Sequence, residues 1–176
     1  MTRPSPPTDR FAAWMAEHGM IVEKVARVYA RSEQERADLR RELMFQVWSS
    51  AARFDGRAQP STWIYRVCLN TALTWRRNLG RQERRTERDS DLETLHHPST
   101  GPAAAAERAD LLERVYDAMA RLSDLDRSLL LLHLDGLSYR EAAEITGLSE
   151  NHFGVALTRA RQRLAAQLKE IIHELD

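Results

Sequence analysis

Between Phe54 and Arg85 the sequence interleaves aromatic and basic side chains, a pattern typical of surfaces that hold single-stranded nucleic acid. Unpaired bases stack on aromatic rings, and arginines attract the phosphates. Opening a duplex also requires a pocket for an unstacked base, and the loop from Asp55 to Gln59 is a candidate. The alternative, which the residues alone leave open, is that Trp63 and Trp75 are core residues. The set comprises Phe54, Trp63, Tyr65 and Trp75 with Arg53, Arg57, Arg66, Arg76, Arg77, Arg81, Arg84 and Arg85.

A second pattern, from Tyr139 to Thr158, indicates a helix-turn-helix. Such a motif needs a small residue where its helices cross, a glycine four positions later for a positive φ, and an apolar residue six positions beyond. Ala143, Gly147 and Phe153 meet these needs. The second helix would then enter the major groove by its N-terminal residues, with one stripe formed by His152, Ala156, Arg159 and Arg163. The alternative is an ordinary helical hairpin in which Gly147 is a C-cap.

Residue patterns that could support catalysis are few. Cys68 lies on an apolar helical stripe, where a buried and unreactive thiol is the default. His96 and His97 have no cysteine or carboxylate at ligand spacing, so a surface segment is favoured over a metal site. There is no glycine-rich phosphate loop and no Ser/His/Asp arrangement. The sequence therefore predicts a protein that is not an enzyme, with no metal and no cofactor, and an all-α enzyme using these three residues is the least favoured alternative.

The net charge of zero is a cancellation between segments of opposite sign. Residues 1–85 hold 16 basic and 9 acidic side chains, residues 86–126 hold 4 and 10, and residues 127–176 hold 6 and 7. The segments therefore carry +7, −6 and −1. A basic block beside an acidic block is expected of a module that binds a polyanion, so the neutral sum does not exclude nucleic acid.

The first half of the chain predicts helices behind a disordered tail at residues 1–9. Apolar periodicity runs from Phe11 to Tyr29, with Gly19 as a break. A capping box of Ser32 and Glu35 starts an amphipathic helix of about 20 residues, with an apolar stripe of Leu39, Leu43, Val47 and Ala51. That helix is predicted to end at 54–56, and Pro60 suits the first turn of the next helix.

The second half begins with an acidic segment at 86–106, which lacks an apolar face and is predicted to be a flexible linker. Residues 107–176 then predict four helices: one across Leu111, Leu112, Val115, Met119 and Leu122, one from Asp124 to Leu134, a short one from Ser138 to Thr146, and a long one capped by Ser149. Nothing is typical of a strand. The predicted fold is all-α, with two small helical domains of which the second is the helix-turn-helix.

Composition also constrains the compartment. No apolar run approaches the roughly 20 residues of a membrane span, and no secretory h-region follows the N-terminal methionine. A lone cysteine suits a reducing compartment. These features predict a cytoplasmic protein without a membrane span.

Taken together, the motifs resemble the extracytoplasmic-function (ECF) group of the sigma-70 family of bacterial RNA polymerase sigma factors. The resemblance covers Phe11 to Leu168. Four motifs carry it, in the family's order: Asp38-Leu39-x-x-Glu42 followed by Trp48; Phe54-Asp55-Gly56, Ser61-Thr62-Trp63-Ile64-Tyr65-Arg66-Val67 and Asn70; Leu122-Ser123-x-Leu125-x-Arg127 with Leu137-Ser138-Tyr139-x-Glu141-Ala142-Ala143; and Arg159-Ala160-Arg161-x-Arg163-Leu164.

The resemblance implies a division of work along the chain. Residues 10–85 would be sigma region 2, which binds core polymerase and melts and recognises the −10 promoter element. Residues 107–176 would be sigma region 4, which reads the −35 element. The implied partners are core RNA polymerase at its clamp and flap, promoter DNA and an anti-sigma factor. The acidic linker would run along basic channels of the polymerase.

The resemblance also assigns residues to these tasks. Polymerase contacts are expected from Asp38, Leu39, Arg41, Glu42, Phe45, Gln46 and Trp48, although for Trp48 the sequence alone favours core packing. Contacts to the −10 element are expected from Arg53, Phe54, Asp55, Gly56, Arg57, Gln59, Ser61, Thr62, Trp63, Arg66, Asn70, Arg76 and Arg77. Contacts to the −35 element are expected from Arg140, Ser149, Glu150, Asn151, His152, Thr158, Arg159 and Arg163.

The sequence departs from the family pattern at a few positions. Arg41 replaces a common glutamine. In the recognition helix the usual Val-Lys-Ser-Arg-Leu is Phe153-Gly154-Val155-Ala156-Leu157, so both basic residues are missing. A glycine there weakens the helix by about 1 kcal/mol. The C-terminal domain is therefore expected to grip DNA more weakly than the N-terminal one.

One rival explains the helix-turn-helix alone. A stand-alone repressor would not need the aromatic and basic segment, and it would usually dimerise to match two half-sites. The mass of the free protein distinguishes the two hypotheses.

Overall fold

A computed structural model describes residues 7–86 and 103–173 of the chain. In these ranges the regular structure is helical, with no strand, as the sequence predicts. The helices form two compact units, with the division near residue 91. The chain is therefore described as an N-terminal and a C-terminal unit.

The N-terminal unit is a bundle of three helices. Helix α1 spans Pro7–Tyr29, α2 spans Glu33–Ser50 and α3 spans Pro60–Thr86, with a 3₁₀ turn at Ala51–Arg53. Each of the three helices packs on the other two. Their buried faces form the core of this unit, which includes Ile21, Val22, Val25, Tyr29, Leu39, Leu43, Val47, Ile64, Tyr65, Cys68 and Ala72.

Helix α2 begins as its capping residues predict. The hydroxyl of Ser32 accepts a hydrogen bond from the Glu35 amide at 3.1 Å, and the Glu35 carboxylate accepts one from the amide of Arg31 at 2.7 Å. The stripe Leu39, Leu43 and Val47 is fully buried. Capping and stripe together fix both the start of α2 and the face that it turns inward.

The predicted break at Gly19 is wrong. Helix α1 runs through this residue without interruption, because a glycine in a helix interior costs only about 1 kcal/mol and the buried residues after it, such as Ile21 and Val25, anchor the same helix. The helix also starts at Pro7, so residues 7–9 are not part of a disordered tail. Proline is tolerated in a first turn, and Asp9 complements the helix dipole there.

The predicted end of α2 at 54–56 is wrong as well. The helix stops at Ser50, the 3₁₀ turn follows, and Phe54 is extended with φ −69° and ψ 116°. Gly56 has the predicted positive φ, +77°, but it lies in the loop before α3 and not at a helix end. Pro60 is the first residue of α3, as predicted.

The C-terminal unit contains helices α4 (Ala103–Ala120), α5 (Asp124–Leu134), α6 (Tyr139–Thr146) and α7 (Glu150–His173). Both α4 and α5 pack on α7. The predicted linker at 86–106 is therefore too long, because Thr86 ends α3 and residues 103–106 open α4. Four consecutive alanines, the strongest helix formers, explain this extension. The remaining linker residues, including His96 and His97, lie outside the described residues.

The bounds of α5 and α6 match the sequence prediction. Gly136 and Gly147 end these helices with φ of +77° and +74°. Ser123 caps α5 by accepting a hydrogen bond from the Asp126 amide at 3.1 Å. On α4, Leu112 is 52% exposed, whereas Met119 is buried. The helix predicted across Leu111 to Leu122 ends at Ala120, so the buried Leu122 lies just beyond it.

No helix among the described residues is both long and apolar enough to cross a membrane.

Candidate nucleic-acid interface

The outer face of α2 carries an exposed aromatic pair. Phe45 is 54% exposed and Trp48 is 46% exposed, and their ring centroids lie 6.0 Å apart. The core packing favoured for Trp48 is therefore wrong. Trp48 follows the buried Val47 by one residue, about 100° around the helix, which places it at the rim of the stripe. Met44, 39% exposed, extends the apolar surface.

Polar side chains flank this aromatic pair. Arg41 forms an ion pair with Asp38 one turn away, and the amide of Gln46 donates to Glu42 at 2.9 Å. These four predicted polymerase contacts lie at the surface or are half-buried. Leu39 is fully buried instead, so it supports the helix from inside and does not offer a contact. We call Met44, Phe45, Trp48 and the polar side chains of Asp38, Arg41, Glu42 and Gln46 the α2 surface.

The loop before α3 stands on a cluster of three aromatic rings. Trp14 of α1, 7% exposed, meets Phe54 edge-on at 5.0 Å between ring centroids. Trp63 of α3 lies 5.3 Å from Trp14 and 5.6 Å from Phe54. Arg10 of α1 also stabilises this region. Its guanidinium donates to the Ala51 carbonyl at 3.1 Å and lies over the Trp14 ring. We call Trp14, Phe54 and Trp63 the aromatic cluster.

The sequence prediction missed Trp14 and Arg10. The spacing of Trp14, Ile21 and Val28 by seven residues is enough to identify Trp14 as buried. It contains no signal that this ring would meet Phe54, 40 residues further along the chain.

Beyond the cluster the loop is exposed and holds its own turn. The Asp55 carboxylate accepts from the Arg57 amide at 3.1 Å and pairs with the Arg57 guanidinium at 3.2 Å. Such a side-chain turn stiffens a short loop without help from other elements. Residues 55–57 and Gln59 are exposed, as is Arg53 before them. The predicted loop residues are therefore accessible, with Phe54 half-buried at their base.

Helix α3 divides the remaining predicted contacts by burial. Thr62 is 3% exposed and Tyr65 is 2% exposed, so both belong to the core and a direct DNA contact by either is not compatible with this structure.

The other predicted contacts of α3 are accessible. Asn70 and Arg77 are exposed, whereas the half-buried side chains are those of Ser61, Trp63, Arg66, Trp75 and Arg76. Arg77 donates to the Leu73 carbonyl at 3.2 Å. Arg81 is also exposed, and the side chains of Arg84 and Arg85 lie outside the described residues.

The helix-turn-helix has the predicted packing. Ala143 is 6% exposed at the helix crossing, Phe153 is fully buried, and Gly147 turns the chain with its positive φ. The Tyr139 and Phe153 rings meet at 5.3 Å between centroids. The hydroxyl of Ser149 accepts from the His152 amide at 3.3 Å, which caps α7.

The short helix α6 is capped by Ser138 and Glu141. The Glu141 carboxylate accepts a hydrogen bond from the Ser138 hydroxyl and one from the Ser138 amide, the latter at 2.9 Å. These bonds to Ser138, aided by the charge of Arg140, hold the pKa of Glu141 below its usual value. The start of α6 is thereby fixed at the position from which the turn leads into α7.

The N-terminal half of α7 presents most of the predicted −35 contacts to solvent. Exposed side chains are those of Ser149, Glu150, Asn151, His152, Thr158 and Arg159, and on α6 that of Arg140. Ala156, on the predicted stripe, is half-buried. Val155 is 49% exposed in the midst of this face and was not among the predicted contacts. Its apolar side chain gave no reason to assign it.

Arg163, one of the predicted −35 contacts, forms an ion pair within the C-terminal unit. Both carboxylate oxygens of Asp126, which is 4% exposed, accept hydrogen bonds from Arg163 Nη1 at 2.9 Å. A nearly buried carboxylate needs such a charged partner. Arg163 therefore ties α7 to α5, while 58% of its side chain stays exposed. Arg161, two residues earlier on α7, contacts His133 of α5.

Cys68 is buried, as predicted. It is fully buried on α3, and this burial raises the pKa of its thiol to about 12. The thiolate, which is the reactive form, is therefore not populated at neutral pH. Among the described residues, no cluster of three histidine, cysteine or carboxylate side chains is arranged to hold a metal ion.

Comparison with known families matches both units. The family described as Sigma-70 region 2 matches residues 10–82, and Sigma-70, region 4 matches residues 112–164. Among curated proteins, the chain is 28% identical over 129 residues to the RNA polymerase sigma factor YlaC of Bacillus subtilis, covering 72% of this chain and 73% of that protein. It is 25% identical over 158 residues to the ECF RNA polymerase sigma-E factor of Haemophilus influenzae, covering 85% and 84%.

Solved structures show the same fold. The sigma factor RpoE from Bartonella quintana, solved with the anti-sigma factor NepR, is similar with a TM-score of 0.72 and 20% identity, over 91% of this chain and 97% of that one. CnrH, solved with the cytosolic domain of CnrY, has a TM-score of 0.62 and 22% identity, over 93% and 90%. With region 2 matching the N-terminal unit and region 4 the C-terminal one, the chain belongs to the ECF group of the sigma-70 family, whose members are alternative sigma factors that direct RNA polymerase to particular promoters.

Proposed function

We propose that this sigma factor divides its task among three surfaces, each defined by residues that the structure exposes. The α2 surface binds the clamp of core polymerase. The loop on the aromatic cluster captures an unpaired base of the −10 element, and the N-terminal half of α7 reads the −35 element. The observation that carries this proposal is the exposed loop 55–59, held on the rigid base of Trp14, Phe54 and Trp63.

The α2 surface suits a protein partner. Exposed aromatic side chains such as Phe45 and Trp48 are typical hot spots of protein interfaces. The flanking pairs of Asp38 with Arg41 and Glu42 with Gln46 supply a polar rim that can exchange partners on binding. The buried stripe behind them keeps this face rigid, so little conformational entropy is lost when polymerase binds.

The loop suits the capture of a single base. A flipped base must be held by stacking and by hydrogen bonds to its edges. Phe54 and Trp63 offer half-buried rings at the base of the loop, and the exposed side chains of Asp55, Arg57 and Gln59 offer polar groups beside them. Arg53 and Arg57 are exposed on either side of Phe54, where they attract the backbone of the displaced strand.

The arginines of α3 suit the phosphate backbone. Arg76 and Arg77 follow the loop along the same helix, with Arg81 one turn later. Cationic contacts of this kind position DNA without reading its sequence. These arginines contribute to the +7 charge of residues 1–85, which would attract DNA to the N-terminal unit.

The partners of the free protein follow from the same surfaces. Two structurally similar sigma factors were solved with anti-sigma proteins, and we propose that a protein of this kind covers the α2 surface when the sigma factor is held inactive. The C-terminal unit would meet the polymerase flap, and the acidic linker at 87–102 would follow basic channels of the enzyme. The site of action is the cytoplasm, where polymerase and chromosome meet.

Transcription with purified components tests the division. Core polymerase and the full chain are combined with a promoter that is found by mapping transcript starts. Binding of each variant to core polymerase is measured separately, by competition with the unaltered chain. The double variant Phe45→Ala with Trp48→Ala is expected to lose binding to core. Arg57→Ala is expected to bind core normally and to open the promoter less, measured by permanganate reactivity of unpaired thymines.

Two results would contradict the proposal. If the α2 variant binds core as the unaltered chain does, the α2 surface is not the docking site. If Arg57→Ala and the matched loop variant Gln59→Ala both open the promoter normally, the loop does not capture a base. Leu134→Ala, which removes an exposed leucine from α5, serves as the control that should change neither measurement.

A further inference from the structure

The face of α7 that is exposed around Asn151 and Arg159 has an apolar centre. Val155 is 49% exposed and lies one helical turn from each of these two residues. His152 precedes it by three residues and Thr158 follows it by three, and both are exposed. A valine here has polar neighbours on every side of the helix surface.

Among the described residues of this part of α7, the apolar side chains that pack inward are not those of the exposed face. Phe153 and Leu157 are fully buried. Gly154 is covered by Tyr139, because a Cβ built on Gly154 would lie 3.2 Å from Cε2 of that ring. The ring of Tyr139 thus takes the space of a side chain at 154, and the face is left to Asn151, His152, Val155, Thr158 and Arg159.

Thr158 adds to the apolar character of this centre. Its hydroxyl donates to the Gly154 carbonyl at 3.0 Å, one turn back along the helix. The hydrogen of the hydroxyl is therefore engaged, and the methyl group is the part of the side chain available to a partner. Val155 and the Thr158 methyl group lie on adjacent turns of the same face.

A β-branched residue at an exposed helical position has a cost and a use. Valine is a weaker helix former than alanine, and about half of the Val155 surface is left uncovered by the chain itself. Its χ1 angle is nearly fixed in a helix, so its two methyl groups are held in one place before any partner arrives. A rigid apolar group flanked by polar side chains suits an apolar spot in a polar surface.

The major groove contains one such spot. Thymine is the base that presents a methyl group there, and apolar side chains recognise it by contact. Asparagine reads adenine and arginine reads guanine by paired hydrogen bonds in the same groove. We propose that Val155 is a specificity residue that contacts the methyl group of a thymine in the −35 element, between the base pairs read by Asn151 and Arg159. This rests on the proposed function of α7.

Deoxyuridine tests the contact because it lacks only that methyl group. Each thymine of the −35 element, on either strand, is replaced in turn in synthetic promoters, and binding is measured with the complete holoenzyme at one salt concentration. Wild type is expected to bind about fourfold more weakly at one position, the effect of about one buried methyl group. Val155→Ala is expected to bind the unmodified promoter more weakly and to show no further loss at that position.

Two matched variants complete the test. Leu134→Ala removes an exposed leucine from α5 and should give the wild-type uridine profile. Val155→Thr keeps the branched shape and one methyl group, and should retain part of the sensitivity. Alanine is a good helix former, so Val155→Ala should fold, and circular dichroism checks that it does.

The outcomes separate the inference from the function on which it rests. If deoxyuridine weakens binding equally for wild type and Val155→Ala at every position, or weakens neither, the thymine contact is overturned. Binding would in that case still depend on the sequence of the −35 element, so the proposed function of α7 would stand. If scrambling the whole −35 element leaves binding and initiation unchanged, α7 does not read this element, and both proposals fall.

Discussion

The two surfaces proposed to meet promoter DNA are built in opposite ways. The loop of the N-terminal unit depends on residues far apart in sequence, since Trp14, Phe54 and Trp63 come from three different segments. The reading face of α7 depends on a local motif in which Ser138, Gly147 and Ser149 fix two short-range helix boundaries. A surface that holds an unpaired base needs a rigid support built from several segments. A helix that enters a groove needs only a fixed first residue and a fixed angle to the preceding helix.

Charge divides the two surfaces in the same direction. Residues 1–85 carry +7, whereas residues 103–176, which include all of α4 to α7, hold 9 basic and 13 acidic side chains and so carry −4. Electrostatic attraction therefore favours the N-terminal unit, and the C-terminal unit must depend more on direct contacts. The structure sharpens this contrast because Arg163, one of six basic residues after 126, is engaged with Asp126.

The largest effect is expected from two tryptophans of opposite burial. Trp14→Ala removes a ring that is 7% exposed, and it should lower the free energy of unfolding by about 3–5 kcal/mol. Trp48→Ala removes a 46% exposed ring and should lower it by less than about 1 kcal/mol while weakening core polymerase binding. Urea unfolding followed by tryptophan fluorescence measures both.

This signal reports the N-terminal unit alone, because all four tryptophans lie before residue 86. Equal losses of stability for Trp14→Ala and Trp48→Ala would contradict the assigned burial and remove the aromatic cluster as the base of the loop.

The next effect concerns two arginines of α7. Arg163→Gln leaves the buried Asp126 carboxylate without its charged partner, and should destabilise the C-terminal unit by about 1–3 kcal/mol. Arg159→Gln removes an exposed side chain, so stability should stay within about 0.5 kcal/mol while promoter binding weakens. Circular dichroism follows both units during unfolding, and tryptophan fluorescence should not register Arg163→Gln.

The opposite result, with Arg163→Gln stable and deficient in DNA binding, would restore Arg163 to the reading face. It would also show that the ion pair between Arg163 and Asp126 does not stabilise the packing of α5 on α7.

A smaller effect tests the charge contrast directly. Arg76→Ala with Arg77→Ala should weaken promoter binding by holoenzyme and make its dependence on salt shallower by about two phosphate contacts. Arg140→Ala, a single exposed cation of α6, should change the slope by at most about one contact. The measurement is the slope of log binding constant against log salt. An unchanged slope in the double variant would count against phosphate contacts by α3.

The smallest effect concerns the cap of α6. Hydrogen bonds from Ser138 lower the pKa of Glu141 in the folded chain, so the ionised carboxylate stabilises the fold above its ordinary range of titration. This stabilisation is lost as the pH falls through the folded value. Glu141→Gln should therefore reduce stability at neutral pH and flatten the acid side of the curve, and Ser138→Ala should cost about 1 kcal/mol. Unchanged pH dependence in Glu141→Gln would show that the Glu141 carboxylate does not stabilise the fold.

Local signals explain why much of the fold was predictable. The stripe Leu39, Leu43 and Val47, the caps Ser32 and Ser149, and the turn at Gly147 each act over a few residues, and each was confirmed. Errors arose where competing local signals were weighed without their context. Gly19 was outweighed by the packing of α1, and the alanines at 103–106 continued a helix instead of a linker.

The interfaces were less predictable, because a residue type does not reveal its own burial. Trp48 and Trp14 are the same kind of side chain at helical positions, yet one is exposed and the other is buried. Thr62 and Leu39 carry the family motif but lie in the core. Such differences depend on which neighbouring helix covers a given face.

The sequence by itself determined an all-α chain with a helix-turn-helix near its C-terminal end and a basic N-terminal half, since periodicity, capping and charge are read within single segments. Only the tertiary structure decided that three distant rings form the seat of the loop, that Arg163 serves Asp126, and that Val155 is left exposed. Each of these is a contact, or a missing contact, between residues far apart in the chain, and the packing of whole helices is what brings them together or leaves them uncovered.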